Sequence, residues 1–162
     1  MPAGPSAEVH GTSCFRVFIG KSEVGFVAVG AISSQAVAGD PGTLPRDGYA
    51  TLTLRRALTG TTELFDWRRA VAAGKPDRRS VTIQQLDRAD GAVVNEWRLE
   101  QAWPVRWSGP GFDALAAAVA CEELELAFDD VTWLTLPAPV PEPLATLPTV
   151  SPAARRRVTP TP

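Results

Sequence analysis

Alternation of apolar and polar positions along the chain predicts a protein built mainly of short strands. Phe15, Val17 and Ile19 alternate with other residues, and Leu52 and Leu54 alternate with threonines. Such alternation places one apolar face against a core and one polar face towards solvent. The pattern predicts strands near residues 15–19, 25–29, 49–54, 81–86, 93–107 and 123–128.

Turn-forming residues separate these runs. Gly20 to Glu23 predict a hairpin that joins the first two strands, and Asp90-Gly91 predicts a second hairpin before Val93. Asp-Gly is a strong two-residue hairpin signal, because both positions of the turn need a positive φ. Residues 33–48 are rich in glycine and proline, and we expect a long connection with little to bury.

One stretch has helical periodicity. Leu64, Trp67 and Val71 recur on one helical face, a threonine pair just before them can cap the amino end, and Gly74 can end the helix. The alanine-rich residues 112–120 are expected to form a second short helix.

The run from 93 to 107 carries three tryptophans at odd positions. Trp97, Trp103 and Trp107 would share one face of an extended segment. Because proline cannot donate to a sheet ladder, Pro104 must lie at an edge or bulge, and we expect two strands joined by a bend. We interpret the three rings as core or subunit-interface residues. A stacking platform for a glycan or a peptide, on a monomeric binding module, is the alternative.

Together these elements favour a mainly β fold. The expected architecture is a two-sheet β-sandwich or small β-barrel with one flanking α-helix. We divide the chain into an N-terminal arm at 1–13, a β domain at 14–136 and a tail at 137–162. The tail holds eight of the 15 prolines and is expected to be disordered or extended as polyproline II.

Composition leaves little room for catalysis. The 162 residues include one histidine, His10, which lies in the N-terminal arm, and two cysteines, Cys14 and Cys121, which we expect in the core. Glu123 and Glu125 alternate with leucines and are expected on a solvent or interface face. We therefore predict no enzyme activity, no cofactor and no metal site.

Charge and hydropathy limit the partners. The net charge is −2, and no run of apolar residues approaches the ~20 that a membrane span needs. The first residues lack the basic and apolar regions of a secretory signal, so we expect folding in the cytoplasm. Neither nucleic-acid binding nor membrane insertion by the monomer is expected.

The order of motifs resembles the phage tail tube protein family, which also forms the inner tube of contractile injection systems. In the first half, the resemblance rests on Gly25-Phe26-Val27, Leu44-Pro45, residues 49–56 and Leu64-Phe65-Asp66-Trp67. In the second half, it rests on residues 79–83, Leu86-Asp87 with Asp90-Gly91, Trp97-Arg98-Leu99, residues 102–110 and residues 122–128.

The resemblance implies a structural subunit that self-assembles. Copies would form hexameric rings that stack into a hollow tube, with sheath and baseplate proteins as partners and room for cargo in the lumen. Assembly would take place in the bacterial cytoplasm, and the particle would be a phage tail or an injection system that can be released from the cell. The extra proline-rich tail leaves open a specialised copy in a baseplate or terminal ring.

Two groups of residues are the candidate sites. The long connection is the candidate for contacts within or between rings, through Gly39, Asp40, Pro41, Gly42, Leu44, Arg46 and Asp47. The family motifs supply the residues expected to pack the fold, which are Leu64, Phe65, Trp67, Trp97, Trp103, Pro104 and Trp107.

Overall fold

The computed structural model describes residues 11–33, 35–37, 46–48 and 50–136. These parts of the chain hold ten strands and one helix. In chain order they are β1 (Phe15–Ile19), β2 (Ser22–Glu23), β3 (Ala28–Val29), β4 (Gln35–Val37), β5 (Arg46–Gly48), β6 (Ala50–Ala57), α1 (Glu63–Ala72), β7 (Arg79–Leu86), β8 (Val93–Ser108), β9 (Cys121–Phe128) and β10 (Asp130–Thr135).

Eight of these strands form one bent antiparallel sheet with two halves. The strand order is β2-β1-β7-β8-β9-β6-β3, and β10 also pairs with β8. The first half joins β1, β2, β7 and β10 to the beginning of β8, and the second joins β3, β6 and β9 to its end. The prediction of a mainly β, two-sheet domain with one flanking helix is confirmed.

The sheet bends within β8, between Gln101 and Arg106, and we call this bend the corner. Gln101 has a positive φ of 55°, and the register against β9 shifts between Pro104 and Arg106. Bulges and bends of this kind let one strand pass from one sheet to another. The predicted bend at Pro104 is therefore present, although β8 continues through it as one strand rather than two.

The corner overturns the prediction that three tryptophans share one face. Leu99 is buried before the bend, whereas Ala102 and Pro104 are buried after it, so the inward positions change from odd to even. The shift after Pro104 changes them back. As a result, Trp97 and Trp107 pack against the core, while Trp103 lies on the opposite face from Pro104.

The two predicted hairpins have different outcomes. β7 and β8 form the predicted hairpin, but residues 87–92 connect them, and only Gly91 of the Asp90-Gly91 pair has a positive φ, at 73°. The hairpin at Gly20 closes only on the two residues of β2, and β3 pairs with β6 instead of β1. After β2, the chain crosses from the first half of the sheet to the second half. There β3 is the edge strand next to β6 among the described strands.

Helix α1 begins where the sequence predicts. Its residues Leu64 and Trp67 are buried, and Thr62 occupies its N-cap position. The Thr62 hydroxyl donates to the Asp66 carboxylate at 2.7 Å instead of accepting a backbone N–H.

The predicted helix at 112–120 is wrong. This stretch has a short turn at 114–115 and otherwise no regular structure. Phe112, Leu115 and Val119 are 88%, 97% and 73% exposed, so a helix here would have no apolar surface to pack on. A helix of this length without packing is marginal in water.

The connection at 33–48 contains two short strands that alternation did not predict. β4 and β5 form a separate two-stranded antiparallel ribbon, in which Ala36 pairs with Asp47 and Val37 with Arg46. Since the ribbon pairs only with itself among the described strands, its backbone hydrogen bonds can form without an alternating apolar face. Gly39, Asp40, Pro41, Gly42 and Leu44 lie outside the described residues.

The core lies between the two halves of the sheet. Val17, Val81 and Leu99 come from the first half and face Leu54 and Leu124 of the second. The helix closes one side with Leu64 and Trp67.

Replacement of a core leucine tests this arrangement against a matched exposed leucine. Leu99→Ala removes a fully buried side chain and is expected to lower the free energy of unfolding by about 2–5 kcal/mol. Leu115→Ala changes a side chain that is almost fully exposed and is expected to stay within about 0.5 kcal/mol. Urea denaturation of the unassembled subunit measures both, and equal losses would contradict the assigned core.

Candidate assembly surfaces

A buried charged cluster ties the helix to one end of the second half-sheet. Arg56 of β6 and Glu122 of β9 are cross-strand partners, and two guanidinium nitrogens donate to one Glu122 oxygen at 2.6 and 2.8 Å. The other Glu122 oxygen accepts from Trp107 Nε1 at 2.8 Å. Arg56 also donates to Glu63, in the first turn of α1, at 2.7 Å. One cluster therefore fixes β6, β8, β9 and α1 relative to one another.

Burial makes this cluster unlike the ion pair beside it. Arg56 and Glu122 are almost fully buried, and every oxygen or nitrogen that they bury has a partner, as have all buried polar side-chain atoms in the described ranges. In the neighbouring register position, Arg55 and Glu123 are half exposed and 3.9 Å apart. A buried pair that loses one partner leaves an uncompensated charge, which exposed pairs do not.

A second polar cluster holds the carboxyl end of α1. Trp67 Nε1 donates to the backbone oxygen of Asp77 at 2.9 Å, and the Arg79 guanidinium lies 4.5 Å from the Trp67 ring centroid. Arg79 also donates twice to the Asp77 carboxylate, at 2.6 and 2.9 Å. These hydrogen bonds hold the pKa of Asp77 below its ordinary value of 3.8, against the opposing effect of burial. The helix is thus anchored at both ends.

The first candidate surface is an apolar loop, which we define as residues 109–120. Its described hydrogen bonds are local, apart from the Leu58 N–H, which donates to the Ala120 oxygen at its base. Phe112, Leu115 and Val119 all extend into solvent. Large apolar residues that are exposed together in one loop make it a candidate interaction site.

The surface continues along the helix. Phe65 is partly exposed on α1 and contacts Trp107 edge to face, with 4.9 Å between ring centroids. Trp107 in turn lies so close to Gly109 that a Cβ there would meet the indole at 3.0 Å. Trp107 therefore contacts both Phe65 on α1 and Gly109 at the start of the apolar loop.

The second candidate surface is the edge of β10. Within the described residues, β10 pairs with β8 on one side only, so its other edge presents free backbone groups. Trp133 is 64% exposed there and stacks on Trp97, with centroids 5.9 Å apart. Exposed strand edges are templates for pairing with another chain.

The structure places the predicted packing residues as follows. Leu64, Trp67 and Pro104 are buried, Trp97 and Trp107 are half-buried against the core, and Phe65 is partly exposed. The Arg78 guanidinium lies over the Trp103 ring at 4.3 Å from its centroid. Of the predicted ring contacts, Arg46 and Asp47 lie in β5.

Sequence reasoning missed the apolar loop and the buried ion pair. The alanine-rich sequence of residues 112–120 predicted a helix, so the exposed Phe112, Leu115 and Val119 were not recognised as part of a loop. Arg56 and Glu122 are 66 residues apart, and only the register of β6 against β9 brings them together.

The described residues offer little for catalysis or metal binding. No group of three or more histidine, cysteine, aspartate or glutamate side chains is placed to hold an ion there. Cys14 and Cys121 are half-buried free thiols, and His10 lies outside the described ranges. No described helix is long and apolar enough to cross a membrane.

Comparison with known families gives one match that spans the domain. The model of the family described as T4-like virus tail tube protein gp19 matches residues 15–132. No curated protein sequence is similar enough to match.

Several solved structures share the fold. A chain from the sheath-tube complex of PVC, an extracellular contractile injection system, is 23% identical, covers 80% of this chain and 94% of its own, and has a TM-score of 0.67. A chain from the tube-terminating cap of the anti-feeding prophage is 22% identical, covers 83% and 96%, and has a TM-score of 0.71. Hcp1 from Flavobacterium johnsoniae is 19% identical, covers 74% and 94%, and has a TM-score of 0.54.

Two adjacent ion pairs provide a matched test of the buried cluster. Arg56→Met leaves Glu122 buried without its main partner and is expected to lower the free energy of unfolding by about 3–5 kcal/mol. Arg55→Met, one position earlier, breaks a half-exposed pair and is expected to cost at most about 1 kcal/mol. Urea denaturation distinguishes the two, and a similar small loss for both would show that the cluster does not hold the fold together.

Proposed function

Because the chain belongs to the family of T4-like virus tail tube proteins, we propose that it is a structural subunit of the inner tube of a contractile phage tail or a phage-tail-like contractile injection system. The observation that carries the proposal is the family match, which spans the described β domain from β1 to β10. Its function in this proposal is self-assembly, without a catalytic step.

The exposed surfaces support assembly from identical copies. The apolar loop and the open edge of β10 are different surfaces, so a contact between them is heterologous. Heterologous contacts generate rings when the rotation closes and filaments when it does not. We propose hexameric rings that stack into a tube, with the apolar loop buried between neighbouring copies.

The ribbon of β4 and β5 is the candidate for contacts between rings. It pairs with neither half of the main sheet in the described residues, so its backbone is available to a neighbouring copy. In this proposal, the connection between its strands, including Gly39, Asp40, Pro41, Gly42 and Leu44, reaches the next ring, together with Arg46 and Asp47 of β5.

The proposed partners are the sheath and baseplate of the same machine. Structures with this fold include a chain of a sheath-tube complex and a chain of the anti-feeding prophage baseplate. In this proposal the subunit is made and assembled in the bacterial cytoplasm, the lumen takes cargo, and the completed particle can leave the cell.

A terminal or baseplate ring of the same machine is the second candidate. The tube-terminating cap and a sheath/tube terminator share the fold at TM-scores of 0.71 and 0.67, as similar as the tube chain itself. The proline-rich residues 137–162 lie beyond the family match and are the feature that favours a specialised ring.

Substitution in the apolar loop tests the proposed assembly. Phe112→Ser combined with Leu115→Ser removes two apolar side chains that the subunit itself does not bury. We expect the wild-type protein to form rings or tubes of constant diameter in electron micrographs, alone or with sheath and baseplate proteins. The double variant is expected to remain monomeric with an unchanged free energy of unfolding, because the subunit buries neither side chain itself.

Val27→Ser provides the control, because Val27 is an exposed valine that is not part of the apolar loop. The control is expected to assemble like the wild type. A wild-type protein that stays monomeric at high concentration with all these partners would contradict the proposed function, whereas normal assembly of the double variant would contradict only the role of the loop.

A further inference from the structure

An apolar groove lies between the two halves of the sheet. The segment around β3 borders it on one side, and β1, β7 and β8 border it on the other. It has a volume of about 630 Å³, which is within the ~300–1,000 Å³ of typical ligand pockets. Among the residues that the structure describes, no charged side chain lines it. The apolar side chains that line it are Phe15, Val27, Val29, Ile32, Ile83 and Trp97.

An exposed tryptophan borders the groove. Trp133 is the cross-strand partner of Trp97, so both rings lie on the same face of the sheet, where they stack with an interplanar angle of 17°. Trp133 Nε1 donates to Asn95 Oδ1 at 3.2 Å, which helps to hold the indole in place. The stacked pair extends the aromatic surface of the groove towards the edge of β10.

The end of the described chain lies beside this surface. Leu136 donates its N–H to the oxygen of Val94 and is the last described residue. Thr135 pairs with Asn95, which pairs with Gln85 in the groove wall. Two strand spacings are about 10 Å, a distance that roughly three extended residues span. Residues 137 onwards can therefore reach the groove of their own copy.

The sequence of the following residues suits an aromatic, uncharged groove. Residues 137–148 contain five prolines and a single charge, at Glu142. In polyproline II, with three residues per turn, Glu142 shares its edge with Pro139 and Ala145. The next edge is entirely apolar and carries Ala138, Pro141, Leu144 and Leu147.

We propose that the groove is a binding site for residues 137–148 of the same chain, held as polyproline II with the Leu144 edge inward and Glu142 towards solvent. Proline-rich segments bind aromatic grooves because this helix is already ordered before binding. The hydroxyls of Thr12 and Ser13 in the groove wall supply polar groups for the backbone of the segment. The short connection from Leu136 keeps the effective concentration in the millimolar range. Residues 149–162, with Arg155 to Arg157, remain outside the groove.

Photo-crosslinking of the full chain tests this site. Val27→p-benzoylphenylalanine places the crosslinker in the groove wall at an exposed position, and Val119→p-benzoylphenylalanine places it in the apolar loop. After irradiation, we expect mass spectrometry to find residues 137–148 attached at position 27 and not at position 119. The crosslinked product should migrate as a single chain.

Two sets of substitutions in residues 137–148 test which side chains bind the groove, and neither set changes a core residue. Leu144→Ser with Leu147→Ser is expected to reduce capture at position 27 by about tenfold, because two apolar contacts are lost. Glu142→Gln is expected to leave capture unchanged. Capture of other segments only, equal capture from position 119, or capture only between different chains would each overturn the proposal. None of these results depends on whether rings assemble.

Discussion

The corner in β8 is the constraint on which the rest of the structure depends. A single strand of 16 residues belongs to both halves of the sheet, and the positive φ of Gln101 and the bulge after Pro104 let it change direction between them. β9 and β10 follow the same corner on one side, since the N–H of Asp129 donates to the oxygen of Glu100 between them. The corner encloses the core, and it also decides which of the tryptophans point inward.

The buried ion pair adds a second constraint, because it connects the strands of the second half to one another and to α1. Arg56 and Glu122 lie on neighbouring strands of the second half, and Trp107 reaches Glu122 from beyond the corner. Arg56 also meets Glu63 at the start of α1. Desolvation makes such a cluster expensive unless every member has a partner, so the geometry of four elements is tightly specified. The outer flank of α1 and the apolar loop consequently project from a rigid base.

Local chemistry predicted the parts of the fold that depend on neighbouring residues. Asp90-Gly91 identified a hairpin, and Leu64 with Trp67 identified the helix, because turn and helix preferences act over a few residues. The inward face of β8 could not be predicted, since Gln101 carries no sequence signal for a positive φ. The loop at 112–120 was misread because its alanine-rich sequence favours a helix, whereas its large apolar side chains are exposed on the described subunit.

In the proposed assembly, burial of the apolar loop would give the contact between copies its own dependence on temperature. Burial of Phe112, Leu115 and Val119 against a neighbour removes apolar surface from water, and this process has a negative heat-capacity change. The driving force is mainly entropic near room temperature and weakens on cooling. If copies associate through this loop as proposed, cooling is therefore expected to weaken the contact between them.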